Sequence, residues 1–134
     1  MEKILNSLKN RPKSPIRINR DNPLFQTIIK AIQDKNGERI VSLDLTNIDE
    51  AVSDFFIICE AESSLQIRAI AMNIEQMVLD NCNEKPYHTE YGEEWTLVDF
   101  VNIVVHIFKP EERKFYDIEN LWMDSGRMEH DAGK

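Results

Sequence analysis

The sequence predicts an α/β fold: a single-domain sandwich in which helices flank a mixed β-sheet. Three observations predict it. Strand-like and helix-like patterns alternate along the chain, which points to helices packed on a sheet. Residues Phe55, Phe56, Ile57, Ile58 and Cys59 form an unbroken apolar run, as in a strand covered on both faces. Residues 95–100 and 103–108 read as two strands joined near residues 99–102, a link short enough for an antiparallel hairpin. A hairpin beside a covered strand makes the sheet mixed. At 134 residues the chain is long enough for one domain with a real core.

Taken in order, residues 1–20 carry Pro12, Pro15 and scattered basic groups among few large apolar side chains, and read as a basic, flexible arm. Asp21 or Asn22 can cap a helix with Pro23 at its first position. Leu24, Ile28, Ala31 and Ile32 share one face of that helix, and Gly37 is a natural stop. Residues 40–45 form a strand. The nine residues that follow are too few for a helical crossover, so this strand and the run at Phe55 should be antiparallel. Ser63 or Ser64 can cap a second helix on which Ile67, Ile70, Ala71, Ile74, Met77 and Val78 recur, with Met72 and Met77 filling core gaps. Pro86 lies beyond its end. Residues 85–94 suggest a short edge strand with Gly92 in a turn. In the last strand Val101, Ile103, Val105 and Ile107 make one face apolar. Asn102, Val104, His106 and Phe108 make the other mixed and partly available. Pro110 opens a closing helix, with Glu111 and Glu112 at its positive end and Phe115, Tyr116, Ile118, Leu121 and Trp122 on its apolar side. From Met123 the pattern fades into a polar tail. The domain therefore spans residues 21–122, between an arm (1–20) and a tail (123–134).

Charge is distributed unevenly. Residues 1–20 hold six basic groups against one acidic, a sum of +5, while residues 21–134 hold ten against 23, a sum of −13. An acidic body repels nucleic-acid backbones and suits a basic partner, so direct sequence-specific nucleic-acid binding is not expected. No apolar run approaches the roughly 20 residues of a membrane span. The N-terminus lacks a secretory pattern, and a transit peptide is weakened by its prolines. Cys59 and Cys82 form no paired motif and read as reduced cysteines in a reducing, cytoplasmic compartment.

Catalytic chemistry is hard to find. The four glycines are scattered, with no phosphate-binding loop among them. His88, His106 and His130 are far apart, and no metal or other cofactor is expected. Glu93 and Glu94 are adjacent and would point to opposite sides if extended, so they make no acid–base pair there. Either cysteine would need a cationic neighbour to become a nucleophile. His106, amid apolar strand residues, has two readings: a structural histidine or a surface contact. Trp95, Tyr116 and Trp122 have the same two, core filling or interface anchors.

Residues 95–122 resemble the ribosomal silencing factor family, also called Iojap-like. The resemblance is carried by Trp95, Asp99, Val105-His106, Arg113, Tyr116, Ile118-Glu119 and Leu121-Trp122, with Ser53-Asp54 before the apolar run, and it spans about residues 22–124. The sequence departs from the pattern at the turn after Asp99, where Val101 replaces a small residue and is strained if φ is positive. The basic arm also lies outside the resemblance. What the resemblance implies is a nucleotidyltransferase-like fold without that fold's chemistry. The position of the phosphate loop reads Ala61-Glu62-Ser63-Ser64, and no Asp-x-Asp occurs. It further implies binding to large-subunit ribosomal protein fourteen, a block on joining of the two ribosomal subunits, and repression of translation, for example in starvation. Organellar relatives act in large-subunit assembly. The contact residues implied are Trp95, Leu97, Asp99, His106, Arg113, Tyr116, Glu119 and Trp122, with Asp99 and Glu119 facing basic side chains. The alternatives are a divergent nucleotidyltransferase-like enzyme, which would need nucleotide and a divalent metal, and a homodimeric scaffold using the same aromatic surface.

Overall fold

The structure, a computed structural model, describes residues 8, 11, 16–48, 51–122 and 125–131. Its elements are α1 (Pro23–Asp34), β1 (Glu38–Asp44), β2 (Phe55–Glu60), α2 (Ser64–Cys82), β3 (His88–Glu90), β4 (Trp95–Asp99), β5 (Ile103–Phe108), α3 (Pro110–Tyr116), α4 (Ile118–Leu121) and β6 (Gly126–His130). The strands form one sheet in the order β3-β4-β5-β2-β1-β6. β2 and β5 are parallel and the neighbouring pairs antiparallel, so the sheet is mixed, as the sequence predicts.

Local chemistry sets the helix ends. Asn22 caps α1 by accepting from the Leu24 amide at 2.8 Å, and Ser63 caps α2 by accepting from Gln66 at 3.1 Å. The left-handed positions after these helices fall to Asn36 (φ 60°) and Asn83 (φ 54°). Gly37 serves a different need from the expected stop: a Cβ there would come within 2.4 Å of the Ile32 side chain. It lets the chain turn tightly from α1 into β1.

The alternation of β2 decides how the layers form. Phe55, Ile57 and Cys59 face the core under α1 and α2, together with Val105 and Ile107 of β5. Phe56 and Ile58 face the opposite side, with Val41, Leu43, Leu97, Val104 and Phe108. No long helix covers that second side among the described residues. Ile118, Val52 and Leu8 are buried against it, and Trp95, Tyr116 and Trp122 pack at its margin.

Four differences from the sequence reading follow. The mixed face of β5 is not partly available: all six residues Ile103–Phe108 are buried, because α3, α4 and Leu8 close over it. Residues 126–130, read as polar tail, form the edge strand β6, paired antiparallel with β1 from Ile40↔His130 to Asp44↔Gly126. Within the arm, Leu8 and Arg11 are buried and Arg20 donates to Ser42 Oγ at 3.0 Å. Met72 is more than half exposed and fills no core gap.

The turn between β4 and β5 bears out the concern over Val101. Its φ is 72°, and the Asn102 amide donates to the Phe100 carbonyl at 2.9 Å, closing a three-residue turn centred on a β-branched residue. Such a conformation costs about 1–3 kcal/mol, more than the ~0.5–1 kcal/mol that glycine loses in chain entropy. Val101→Gly is therefore expected to raise the thermal midpoint, measured by circular dichroism. A lowered midpoint would show that the Val101 side chain contributes more than the turn costs.

Candidate functional site

β4 places Trp95, Leu97 and Asp99 on one face of the sheet by simple alternation. Its register with β5 puts Trp95 opposite Phe108, Leu97 opposite His106 and Asp99 opposite Val104. The Trp95 indole donates from Nε1 to His106 Nδ1 at 3.2 Å. That bond assigns the imidazole proton to Nε2, which is buried and has no partner among the described residues. Burial also lowers the His106 pKa to about 3, so the ring is neutral at physiological pH. His106 is thus an acceptor for Trp95 and a packing element. Phe56 stands edge-on to it at 4.7 Å between centroids.

The aromatic cluster extends outward from there. Trp95 packs on Phe108 at 4.5 Å and on Tyr116 at 4.9 Å, and Trp122 meets Phe56 edge-on at 5.9 Å. Each such pair contributes about 0.5–1.5 kcal/mol beyond its burial. Trp95, Tyr116 and Trp122 remain half-buried, at the boundary of core and solvent. Beside them on α3 and α4, Phe115 is 78% exposed and Leu121 51% exposed.

Arg113 joins the closing helices to the sheet. Its guanidinium donates to Glu119 at 2.9 and 3.3 Å, to Glu60 Oε1 at 3.1 Å and to the Arg39 carbonyl at 2.7 Å. Arg127 reaches Glu119 from β6 at 3.2 Å. This network borders an open cleft of about 810 Å³ at the carboxyl ends of β2 and β5, where open α/β sheets commonly place ligands. Here the charges of Arg39, Glu60, Arg113, Glu119, Arg127 and Glu129 are paired with one another.

Asp99 lies at the other end of the cluster, 2% exposed. One carboxylate oxygen accepts from the Val101 amide at 2.8 Å, and the other is 2.6 Å from Arg11 Nε. Burial raises the Asp99 pKa despite the bonds from Val101 and Arg11. Burial likewise pushes the Cys59 thiol up to about 12, which leaves it inert as a nucleophile.

The structure therefore brings six of the eight candidate residues into one continuous layer: Trp95, Leu97, Asp99, His106, Tyr116 and Trp122 share the sheet face that α3 and α4 close over. Arg113 and Glu119 belong to those helices and are held in internal ion pairs. The basic side chains that Asp99 and Glu119 face in the structure are the chain's own Arg11, Arg113 and Arg127 rather than those of a partner. Sequence reasoning passed over Glu60, the buried acid that Arg113 needs. It also read Phe115 and Tyr116 as one apolar side. Adjacent residues on a helix point about 100° apart, and Arg113 already shares the inward side with Tyr116 at a spacing of three, so Phe115 had to face out.

Among the described residues no three His, Cys, Asp or Glu side chains gather to hold a metal ion, and no helix is long and apolar enough to cross a membrane. What the fold defines is a small α/β domain built on a mixed six-stranded sheet, with an aromatic cluster emerging at one margin. Residues 18–134 match the family model described as "Ribosomal silencing factor during starvation", and the chain belongs to that family. It is 36% identical over 104 residues to the ribosomal silencing factor RsfS of Bacillus subtilis, covering 77% of this chain and 87% of that protein. Its likeness to RsfS of Halalkalibacterium halodurans is 34% over 107 residues, 79% of this chain and 91% of that one. The crystal structure of protein CV0518 from Chromobacterium violaceum has a similar fold, with a TM-score of 0.69 and 30% identity over 75% of this chain and 83% of that one.

Proposed function

We propose that this protein is a bacterial, cytoplasmic ribosomal silencing factor. In this reading it binds the large ribosomal subunit through large-subunit ribosomal protein fourteen and blocks joining of the small subunit. Translation is thereby held down when nutrients fail. The observation that carries the reading is the half-buried trio Trp95, Tyr116 and Trp122, flanked by exposed Phe115 and Leu121. Aromatic side chains with one edge in the core and one at the surface are rigid anchors, and they lose little entropy on docking. The net charge of −8 favours approach to a basic ribosomal protein over bare phosphate and raises the association rate. The contact surface proposed is Trp95, Tyr116 and Trp122 with Phe115. Leu97, Asp99 and His106 lie beneath it, and Arg113 and Glu119 hold its helices in place. The reading assigns the chain no catalytic step.

The test is sedimentation with purified large subunits, followed by a subunit-joining assay. The wild-type chain should travel with large subunits and lower the fraction of joined ribosomes. Phe115→Glu, at a side chain the core does not use, should weaken sedimentation about tenfold or more while leaving the fold intact. A wild-type chain that never travels with large subunits ends the reading. A Phe115→Glu variant that binds like wild type moves the contact off α3.

A further inference from the structure

Two residues of the basic arm, outside the region that matches the family, lie on the face just described. Leu8 is 2% exposed and belongs to the same cluster as Phe56, Leu97, Val104 and Phe108. Arg11 sets its guanidinium 2.6 Å from Asp99, with both side chains almost wholly buried, and donates from Nη2 to the Val101 carbonyl at 3.0 Å. The family match begins only at residue 18, so both contacts are additions to the shared domain.

We propose that the arm occupies, in cis, a docking site for a basic protein segment, and that such a segment of the partner displaces it. The inference rests on the silencing reading above. The occupant shows the chemistry that the site accepts. An aliphatic side chain enters the layer that holds Leu97, and three positions on in the sequence an arginine reaches a buried carboxylate and the Val101 carbonyl. A ribosomal protein rich in arginine supplies the same pair of groups. The body of the chain is acidic (−13) and the arm basic (+5), so arm and partner are attracted to it by the same field.

The contact is also built to open. Arg11 Nη1 is buried without a partner among the described residues, and an incompletely satisfied buried arginine offsets much of what its ion pair contributes. Burial holds the Asp99 pKa above its ordinary value against the stabilising bonds from Val101 and Arg11, so the charged carboxylate is costly to keep in the closed site. Leu8 and Arg11 are the described residues of the arm that close the site.

The experiment compares the full-length wild-type chain with Leu8→Asp and Arg11→Glu variants in sedimentation against purified large subunits. Each variant should bind about tenfold more tightly, because the competing segment no longer closes the site. A synthetic peptide of residues 1–15, added to the wild-type complex, should lower the sedimented fraction. That arm of the test does not depend on how well either variant folds. Wild type binding with the variants no tighter, and the peptide without effect, overturns the inference and leaves the silencing reading standing. Weaker binding of Arg11→Glu, as loss of a phosphate contact on ribosomal RNA gives, also overturns it. If no form of the chain binds large subunits, the silencing reading fails and the competition falls with it.

Discussion

Replacing Arg113 with alanine will destabilise the fold by about 3–5 kcal/mol, the range for removing one member of a buried ion pair. The guanidinium is 9% exposed and makes four hydrogen bonds at once, two to Glu119, one to Glu60 and one to the Arg39 carbonyl. Without it Glu60 keeps, among the described residues, only Arg39, whose Nε is 3.9 Å away on a side chain 77% exposed. A carboxylate at the buried end of β2 would then be almost uncompensated. The short helix α3 has no side-chain hydrogen bond at its N-cap and would also lose its fastening to the sheet. Against a total stability of about 5–15 kcal/mol, the loss is a large share. Urea unfolding should show a lower midpoint with an unchanged slope. Arg113→Lys should recover little, since one ammonium cannot bridge Glu60 and Glu119 in a planar fork. Removing both charges, as Glu60→Gln with Arg113→Met, should recover much of the loss, because no buried carboxylate is left unpaired. A cost below about 1 kcal/mol for Arg113→Ala would mean that the network behaves as an exposed one. Subunit binding should fall together with stability, because α3 carries Tyr116 and Phe115.

The parts of the fold that were legible in the sequence are those where burial forces a period. β2 is apolar on both faces because helices lie on one side and aromatic side chains on the other, and its boundaries could be read from the chain. β6 could not. Gly126–His130 is an edge strand whose side chains are almost all exposed, so nothing demanded apolar residues there. Its pairing comes from backbone hydrogen bonds to β1, which leave no trace in composition. The arm hid its role for a related reason. Arg11 and Asp99 are 88 positions apart, and nothing local to Ile4, Leu5 and Leu8 names a distant strand as their partner.

In the site, the sequence named the aromatic and charged residues but not their directions. A tryptophan in a small domain fits core and surface equally well until its neighbours are known. Trp95 proved to be both, with its indole N–H turned inward to His106 and its ring edge at the surface. The assignment of Arg113 to a contact surface followed its place in the motif. Its internal partners, Glu60 and Arg39, lie 53 and 74 residues away and became visible only once the sheet was assembled.

His106 makes the fold acid-labile in a window set by its own two pKa values. In the unfolded chain the imidazole titrates near the ordinary 6.5, and in the folded chain burial lowers this to about 3. Between these values the unfolded chain holds a proton that the folded chain refuses. The stability from a neutral His106 is thus complete above pH 6.5 and is lost as pH falls, with no further loss below about pH 3. One pKa unit corresponds to about 1.36 kcal/mol, so the loss is on the order of 2 kcal/mol at pH 5. His130, also lowered by burial and by Arg20, acts in the same direction. Asp99 acts in the opposite one, because a raised carboxyl pKa makes the folded state the better proton acceptor as pH falls. The contribution of His106 is isolated by His106→Asn, whose amide oxygen can take the place of Nδ1 as acceptor for Trp95 and which does not titrate. Urea unfolding at pH 7.5 and pH 5 should show the wild-type chain losing about 2 kcal/mol more than the variant between the two conditions. If both lose the same amount, His106 is solvated in the folded chain, and the closed layer of Phe56, Trp95 and Phe108 around it is open in solution.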